Sequence, residues 1–269
     1  MRKIRFDKIK NRLYLKKMKK NKKIGLALGG GAVLGAAHVG VLKALKELDI
    51  SVDYIAGTSI GAFVSAFYAF NKQWNEIEEI ALELKWMDIS GISLSQYGLL
   101  SNNKLGELIT KYIGDKKFKE SSIPLAMIAT DISNGKKVVL NKGSVADAAM
   151  ASTSIPGIFK PVEIDGKLLV DGGIVENVPI HTLKDMGADY LIGVDLNAKH
   201  SYKKPENIID VLVNSFHFTL QASTKLQTED ADLIIQPDLS SFNRSDMDQV
   251  EDLIEKGYTE SIDKLRDNL

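Results

Sequence analysis

Apolar residues along this chain fall in short unbroken runs, separated by longer stretches whose apolar positions recur with a helical period. Residues 23–28 (Lys-Ile-Gly-Leu-Ala-Leu), 52–56, 124–131, 136–140, 190–194 and 232–236 each read as a buried strand. Helices are predicted over about 35–48, 60–70, 74–86, 102–112 and 144–150, from after Pro205 to about Thr228, and from Asp246 onward. The stretch 90–101 carries Ser, Gly and Tyr without a clear period and is expected to be a loop. Residues 151–182 are irregular, with Pro156, Pro161 and Pro179 around two strand-like pieces. Continuous apolar runs fit strands covered on both faces, and their alternation with helices predicts an α/β fold. The expected architecture is a central, mostly parallel sheet with helices on both faces. No repeat and no linker divides the body.

Composition changes this picture little. The chain has 269 residues, 44% hydrophobic and 26% charged, enough for one large domain with a substantial core. It has no cysteine, which excludes a disulfide framework and thiolate metal sites. A reducing cytoplasm fits that usage. No apolar run of about 18 residues predicts a membrane-spanning helix. The N-terminus is too charged for a secretory signal.

Charge changes it more. Residues 1–23 hold twelve Lys or Arg against one acid, a net +11, so the remaining 23 bases and 34 acids leave the body at −11. Such an arm can meet nucleic acid, an anionic membrane surface or the acidic body itself. Its apolar residues form no single helical stripe, so a solvated tail is the first reading and electrostatic attachment to an anionic membrane the second. No nucleic-acid partner is expected.

Candidate chemistry centres on Gly57-Thr58-Ser59-Ile60-Gly61, between a predicted strand and a predicted helix. A G-x-S-x-G at that junction is a nucleophile elbow. Gly57 and Gly61 allow the sharp turn, and the Ser59 hydroxyl is presented at the carboxyl end of the strand near a helix N-terminus. Gly29-Gly30-Gly31-Ala32 follows the first strand. The dinucleotide-binding spacing needs glycine at its first, third and sixth positions and fails from Gly29 at Leu34 and from Gly30 at Ala32, which disfavours an oxidoreductase. The same loop can offer bare amides to a developing oxyanion.

A serine nucleophile needs a base. His38 reads as a packed or exposed residue of the first helix, and neither His181 nor His217 sits in a presenting motif. Asp171, in Leu168-Leu169-Val170-Asp171-Gly172-Gly173, ends an apolar run and is followed at once by two glycines, so it can accept a serine proton directly. Asp53, Asp131 and Asp195 also lie near strand ends and read as structural or turn-capping. Trp74 and Trp86 read as core, or as part of a helical cap over an acyl-chain groove. No cluster has metal-ligand spacing, and no cofactor is expected.

Taken together, the glycine loop, Gly57-Thr58-Ser59-Ile60-Gly61, Ala151-Ser152-Thr153-Ser154-Ile155-Pro156-Gly157, Asp171-Gly172-Gly173 and Asn177-Val178-Pro179 resemble the patatin-like phospholipase family, over roughly residues 24–195. The resemblance implies a patatin-like fold, with residues 1–23 as a basic arm, 24–195 as the catalytic core and 196–269 as a helix–strand–helix completing the same domain. It implies a serine hydrolase acting on carboxylic esters of lipids or phospholipids through a Ser–Asp dyad. Ser59 would then be the nucleophile, Asp171 its base, and Gly30, Gly31 and Ala32 the oxyanion loop. The cysteine-free composition and the basic arm lead to the expectation of a cytoplasmic enzyme with peripheral membrane contact. The contrasting expectation is a lipid-binding or regulatory protein on the same fold without turnover. One departure stands out: family members often carry Arg or Lys where this chain has Leu34.

Overall fold

The computed structural model describes residues 22–86, 91–95, 98–199, 204–206, 208–244 and 246–269. All but two of the basic arm's residues therefore lie outside the described residues. The principal strands are β1 (Ile24–Leu28), β2 (Tyr54–Thr58), β5 (Leu125–Asp131), β6 (Lys136–Leu140), β8 (Lys167–Asp171), β9 (Tyr190–Val194) and β10 (Leu233–Ile235). The remaining strands are β3 (Gly91–Ser95), β4 (Gly98–Ser101) and β7 (Val162–Ile164). Helices are α1 (Ala37–Glu47), α2 (Ile60–Ala69), α3 (Trp74–Trp86), α4 (Asn103–Ile113), α5 (Val145–Ser152), α6 (Ile180–Met186), α7 (Ile208–Gln227) and α8 (Val250–Asn268).

β10, β9, β1, β2 and β5 lie side by side in that order and run parallel. Antiparallel β6 covers one edge of β5. The other edge of β5 is used twice: Leu125 to Ile128 pair with β2, and Ala129 to Asp131 pair antiparallel with β8, which carries β7 beyond it. The sheet is the predicted mostly parallel one, with an antiparallel extension at one end.

Alternation along the strands sends side chains to two layers. Leu26, Leu28 and Ile55 join the large core built with α1, α2, α3 and α8. Ala27, Ala56 and Ala126 point the other way, under Val178, Ile180 and Leu183 of the α6 region. Small residues on that face let a single short helix lie close to the sheet.

One expectation fails. Residues 90–101 contain the antiparallel pair β3–β4 rather than a loop. The signal was present in the alternation Ile92-Ser93-Leu94-Ser95, which has the strand period of two. The first helix also starts differently, through a 3₁₀ turn over Ala32–Ala36 that leads into α1.

Candidate active site

β2 ends at Thr58, and α2 begins at Ile60, so Ser59 alone makes the turn between them. Its backbone sits at φ 55°, ψ −127°, a region that costs a non-glycine residue roughly 1–3 kcal/mol. The surroundings hold it there. The Ser59 amide donates to Ser152 Oγ at 2.9 Å, and Ser152 in turn donates to the Ile128 carbonyl at 2.6 Å. Thr58 Oγ1 donates to the Glu176 carbonyl at 2.8 Å. The flanking glycines are needed for contact rather than for φ: a Cβ on Gly61 would lie 2.0 Å from the Leu28 carbonyl oxygen, and one on Gly57 2.4 Å from that of Gly61.

Asp171 reaches Ser59 through the pairing of β5. Ile128 pairs with Thr58, and the next residue, Ala129, pairs with Asp171. The end of β2 and the end of β8 therefore abut. The Asp171 main chain is tied down on both sides, its amide donating to the Ser154 carbonyl at 2.8 Å and its carbonyl accepting from Thr130 Oγ1 at 2.9 Å. Its side chain is fully buried. Oδ1 accepts the Gly173 amide at 2.8 Å, whereas Oδ2 has no well-aligned hydrogen-bond partner among the described residues. The Ser59 hydroxyl is near enough to stabilise the carboxylate without closing a well-formed bond in the resting state. Such contacts often tighten only when substrate is bound. Burial pushes the Asp171 carboxyl up to about 7, against the opposing pull of the Ser59 hydroxyl and the Gly173 amide.

The glycine loop lies against Ser59: a Cβ on Gly30 would be 3.1 Å from Ser59 Cβ. Gly29 donates to the Val194 carbonyl at 3.1 Å, and its own carbonyl accepts His38 Nε2–H at 2.7 Å. Gly30 donates to Asn177 Oδ1 at 3.1 Å, and its carbonyl accepts Asn197 Nδ2–H at 2.8 Å. Further on, Val33 donates to the Arg244 carbonyl and Leu34 to the Gly31 carbonyl. The amides of Gly31 and Ala32 are left without a partner among the described residues. Ala32 takes φ 51°, a left-handed conformation, where the loop turns into the 3₁₀ segment. Leu34 is wholly buried in the core, so its side chain faces away from any charged ligand.

No described histidine bonds to Ser59 or Asp171. His38 is buried on α1, and burial pushes it down to about 4, so it is neutral when it donates to Gly29. His181 is half exposed beside Glu176 and Asp230, and His217 is buried on α7. Asp53 accepts the Ile24 amide, Asp131 caps the turn after β5, and Asp195 accepts the Asn197 amide. All three are structural, as expected. Among the described residues no group of His, Asp and Glu is placed to hold a metal ion, and no helix is long and apolar enough to cross a membrane.

An almost wholly apolar groove of about 190 Å³ opens at Ser59. Val39 of α1, Phe63 of α2, Ile77 and Leu84 of α3, Ile155 just after α5 and Val250 of α8 contribute to its walls. Trp74 is not among them; it is partly buried against the core, as one reading expected, with Lys43 over its ring, and the Trp86 side chain lies outside the described residues. Sequence reading assigned no role to Ser152, Asn177 or Asn197. Ser152 and Asn177 stand in quoted motifs, while Asn197 stands in none.

A strained serine at a strand–helix turn, a buried acid on the neighbouring strand and free loop amides above an apolar groove define an α/β protein of the nucleophile-elbow class. Residues 26–184 match the model of the patatin-like phospholipase family, and the chain belongs to that family. It is 35% identical over 182 residues to an NTE family protein of Mycobacterium bovis, an alignment covering 66% of this chain and 50% of that protein. It is 32% identical over 189 residues to the lysophospholipase nte1 of Aspergillus fumigatus, covering 65% of this chain and 12% of the relative. The chain thus spans half or less of these curated relatives. Among solved structures, VipD from Legionella pneumophila superposes with a TM-score of 0.54 at 15% identity, over 92% of this chain and 67% of VipD. ExoU in its complex with SpcU from Pseudomonas aeruginosa gives 0.52 at 16% identity, over 92% and 52%. At that identity the likeness concerns the fold.

Proposed function

We propose that this chain hydrolyses carboxylic esters of lipids, with Ser59 as nucleophile and Asp171 as its base. The observation that carries the reading is a serine on a strained turn, facing a buried carboxyl raised to about 7, at the mouth of an apolar groove. As Ser59 Oγ attacks the ester carbonyl, its proton passes to Asp171. The carbonyl oxygen becomes an oxyanion and accepts the Gly31 and Ala32 amides, the two that the resting loop leaves free; Gly30 is already engaged by Asn177. Collapse expels the alcohol, which takes the proton from Asp171, and leaves the acyl chain on Ser59. Water then attacks that ester, delivers a proton to Asp171 and releases the fatty acid as Ser59 recovers its own.

The groove suits a single hydrocarbon chain, and the family and the named lysophospholipase relatives support a phospholipid or lysophospholipid substrate. Leu34 makes the loop itself cation-free, so head-group recognition rests elsewhere. Membrane contact has two supports. One is the +11 arm, whose last residues Lys22 and Lys23 lie against Tyr190 and Tyr54, at the end of the sheet opposite Ser59. The other is α7, which exposes Ile208, Val211, Leu212, Phe218 and Leu226.

A fluorophosphonate probe followed by peptide mapping tests the reading. Modification of Ser59, with p-nitrophenyl ester turnover that rises with acyl length, is the expected result. A chain that leaves Ser59 unlabelled and shows no esterase activity would sink it.

A further inference from the structure

Asn197 lies beyond the residues matched to the family model and outside every motif visible in the sequence. Its side chain nevertheless reaches the loop beside Ser59. The Asn197 Nδ2–H bond to the Gly30 carbonyl, at 2.8 Å, is buried, and so is the Gly30 amide bond to Asn177 Oδ1 at 3.1 Å. One residue of the loop is thus held through its N–H by one asparagine and through its C=O by another. The Gly30 carbonyl belongs to the peptide group that also contains the Gly31 amide, one of the two free donors. Whatever holds that carbonyl orients that amide, because the peptide group is planar.

Both asparagines are held in turn by α7. Gln221 Nε2 donates to the Asn197 carbonyl at 3.4 Å, Asn177 Nδ2 donates to Thr224 Oγ1 at 3.0 Å, and Gln227 Oε1 accepts the Asn177 amide at 2.8 Å. Gln221, Thr224 and Gln227 recur every three residues, so they lie on one side of the helix. Asp195 adds a further restraint, its Oδ1 accepting the Asn197 amide at 2.9 Å. None of these groups lines the groove.

We propose that Asn197 is a positioning residue for the oxyanion loop: with Asn177 opposite, and with α7 behind both, it fixes the Gly30–Gly31 peptide so that the Gly31 amide points at the reacting carbonyl oxygen. Leu34 fits this arrangement. The loop is aimed by uncharged amide side chains arriving from the segment after β9 and from the segment after Asp171, and it needs no cation of its own. The proposal rests on Ser59 being the nucleophile.

The test compares the wild type with Asn197→Ala and the near-isosteric Asn197→Leu, neither of which can donate to the Gly30 carbonyl. A substitution that loosens the loop lowers kcat on p-nitrophenyl esters by about 10- to 100-fold, the range seen when an orienting partner is lost. KM and inhibition by a non-hydrolysable ether analogue stay within about twofold, because ground-state binding uses the groove. The rate of fluorophosphonate labelling at Ser59 falls in step with kcat. Gln221→Ala, which removes only the bond behind Asn197, gives a smaller loss in the same direction and guards against a variant that fails to fold. Unchanged kcat in both Asn197 variants overturns the proposal. So does a loss of kcat matched by an equal loss of ether affinity and melting temperature, which would mark a merely structural residue. A wild-type chain that is never labelled at Ser59 overturns the nucleophile itself, an outcome distinct from either.

Discussion

The two halves of the site are built in opposite ways. In the glycine loop, from the Gly29 amide to the Gly30 carbonyl, each N–H and C=O has a named partner, while the Gly31 and Ala32 amides have none among the described residues. At Asp171 the main chain is bonded on both sides, but one carboxylate oxygen is buried without a well-aligned partner. Donors that must meet a transient charge work best when fixed in advance, since they then cost no reorganisation. A base works best when its conjugate acid is within reach of neutral pH, which requires denying the carboxylate the bonds that would satisfy it. Under the proposed mechanism, one region is stabilised for its task and the other is destabilised for its own.

Asp171→Asn separates the two requirements most sharply. Ester turnover is expected to fall by on the order of 10⁴-fold in a variant that still folds. Stability should move the other way. A carboxyl raised from 3.8 to about 7 keeps its proton in the folded chain after the unfolded chain has lost it. Folding stability therefore declines between about pH 4 and 7, by on the order of 4 kcal/mol in all, and stays low above that. Asparagine does not titrate. Denaturant melts at pH 5 and pH 9 should show a stabilisation of the variant that is larger at pH 9; equal effects at both values would mean that the carboxylate is better satisfied than its surroundings indicate.

Under the proposed dyad, the same carboxyl would set the rate profile. The base must be ionised, so kcat/KM of the wild type is expected to rise about tenfold per unit below roughly pH 7 and then level off. A plateau reached already near pH 5 would contradict the buried, under-bonded base. The smallest effect belongs to the loop. Ala32→Gly relieves a left-handed φ of 51° but enlarges the freedom of the unfolded chain. The two nearly offset, and stability should change by no more than about 1 kcal/mol while kcat drops a few-fold as the Ala32 amide loosens. A drop as large as that of Asp171→Asn would put the loop, rather than the acid, in the leading role.

Much of this was legible before any coordinates. The spans 74–86, 136–140 and 190–194 match their elements end to end, the first because its apolar positions keep a helical period, the other two because glycine or polar residues bound a short stretch on both sides. Ser59 and Asp171 stood out because each carries its glycines beside it in the chain. What stayed hidden acts across the chain. Asn197, Asn177 and His38 earn their places by bonding to the main chain of a loop 9 to 167 residues away, and a main-chain partner leaves no trace in side-chain patterns. The β3–β4 pair was missed for a humbler reason: a four-residue alternation was outweighed by the serines and glycines around it.

The pairing of β5 has a mechanical consequence. Ser59 and Asp171 are 112 positions apart in the chain, yet their approach is gauged by two successive residues, Ile128 and Ala129. A covalent step between neighbouring Cα atoms is about 3.8 Å and does not stretch. The strand acts as a ruler, and the loops that join its clients have no say in the reading. Sequence length can drift in the turn after Asp131 without parting the two side chains. A slip of one residue in the seating of β8 would instead move the acid by a full graduation and turn it to the opposite face of the sheet.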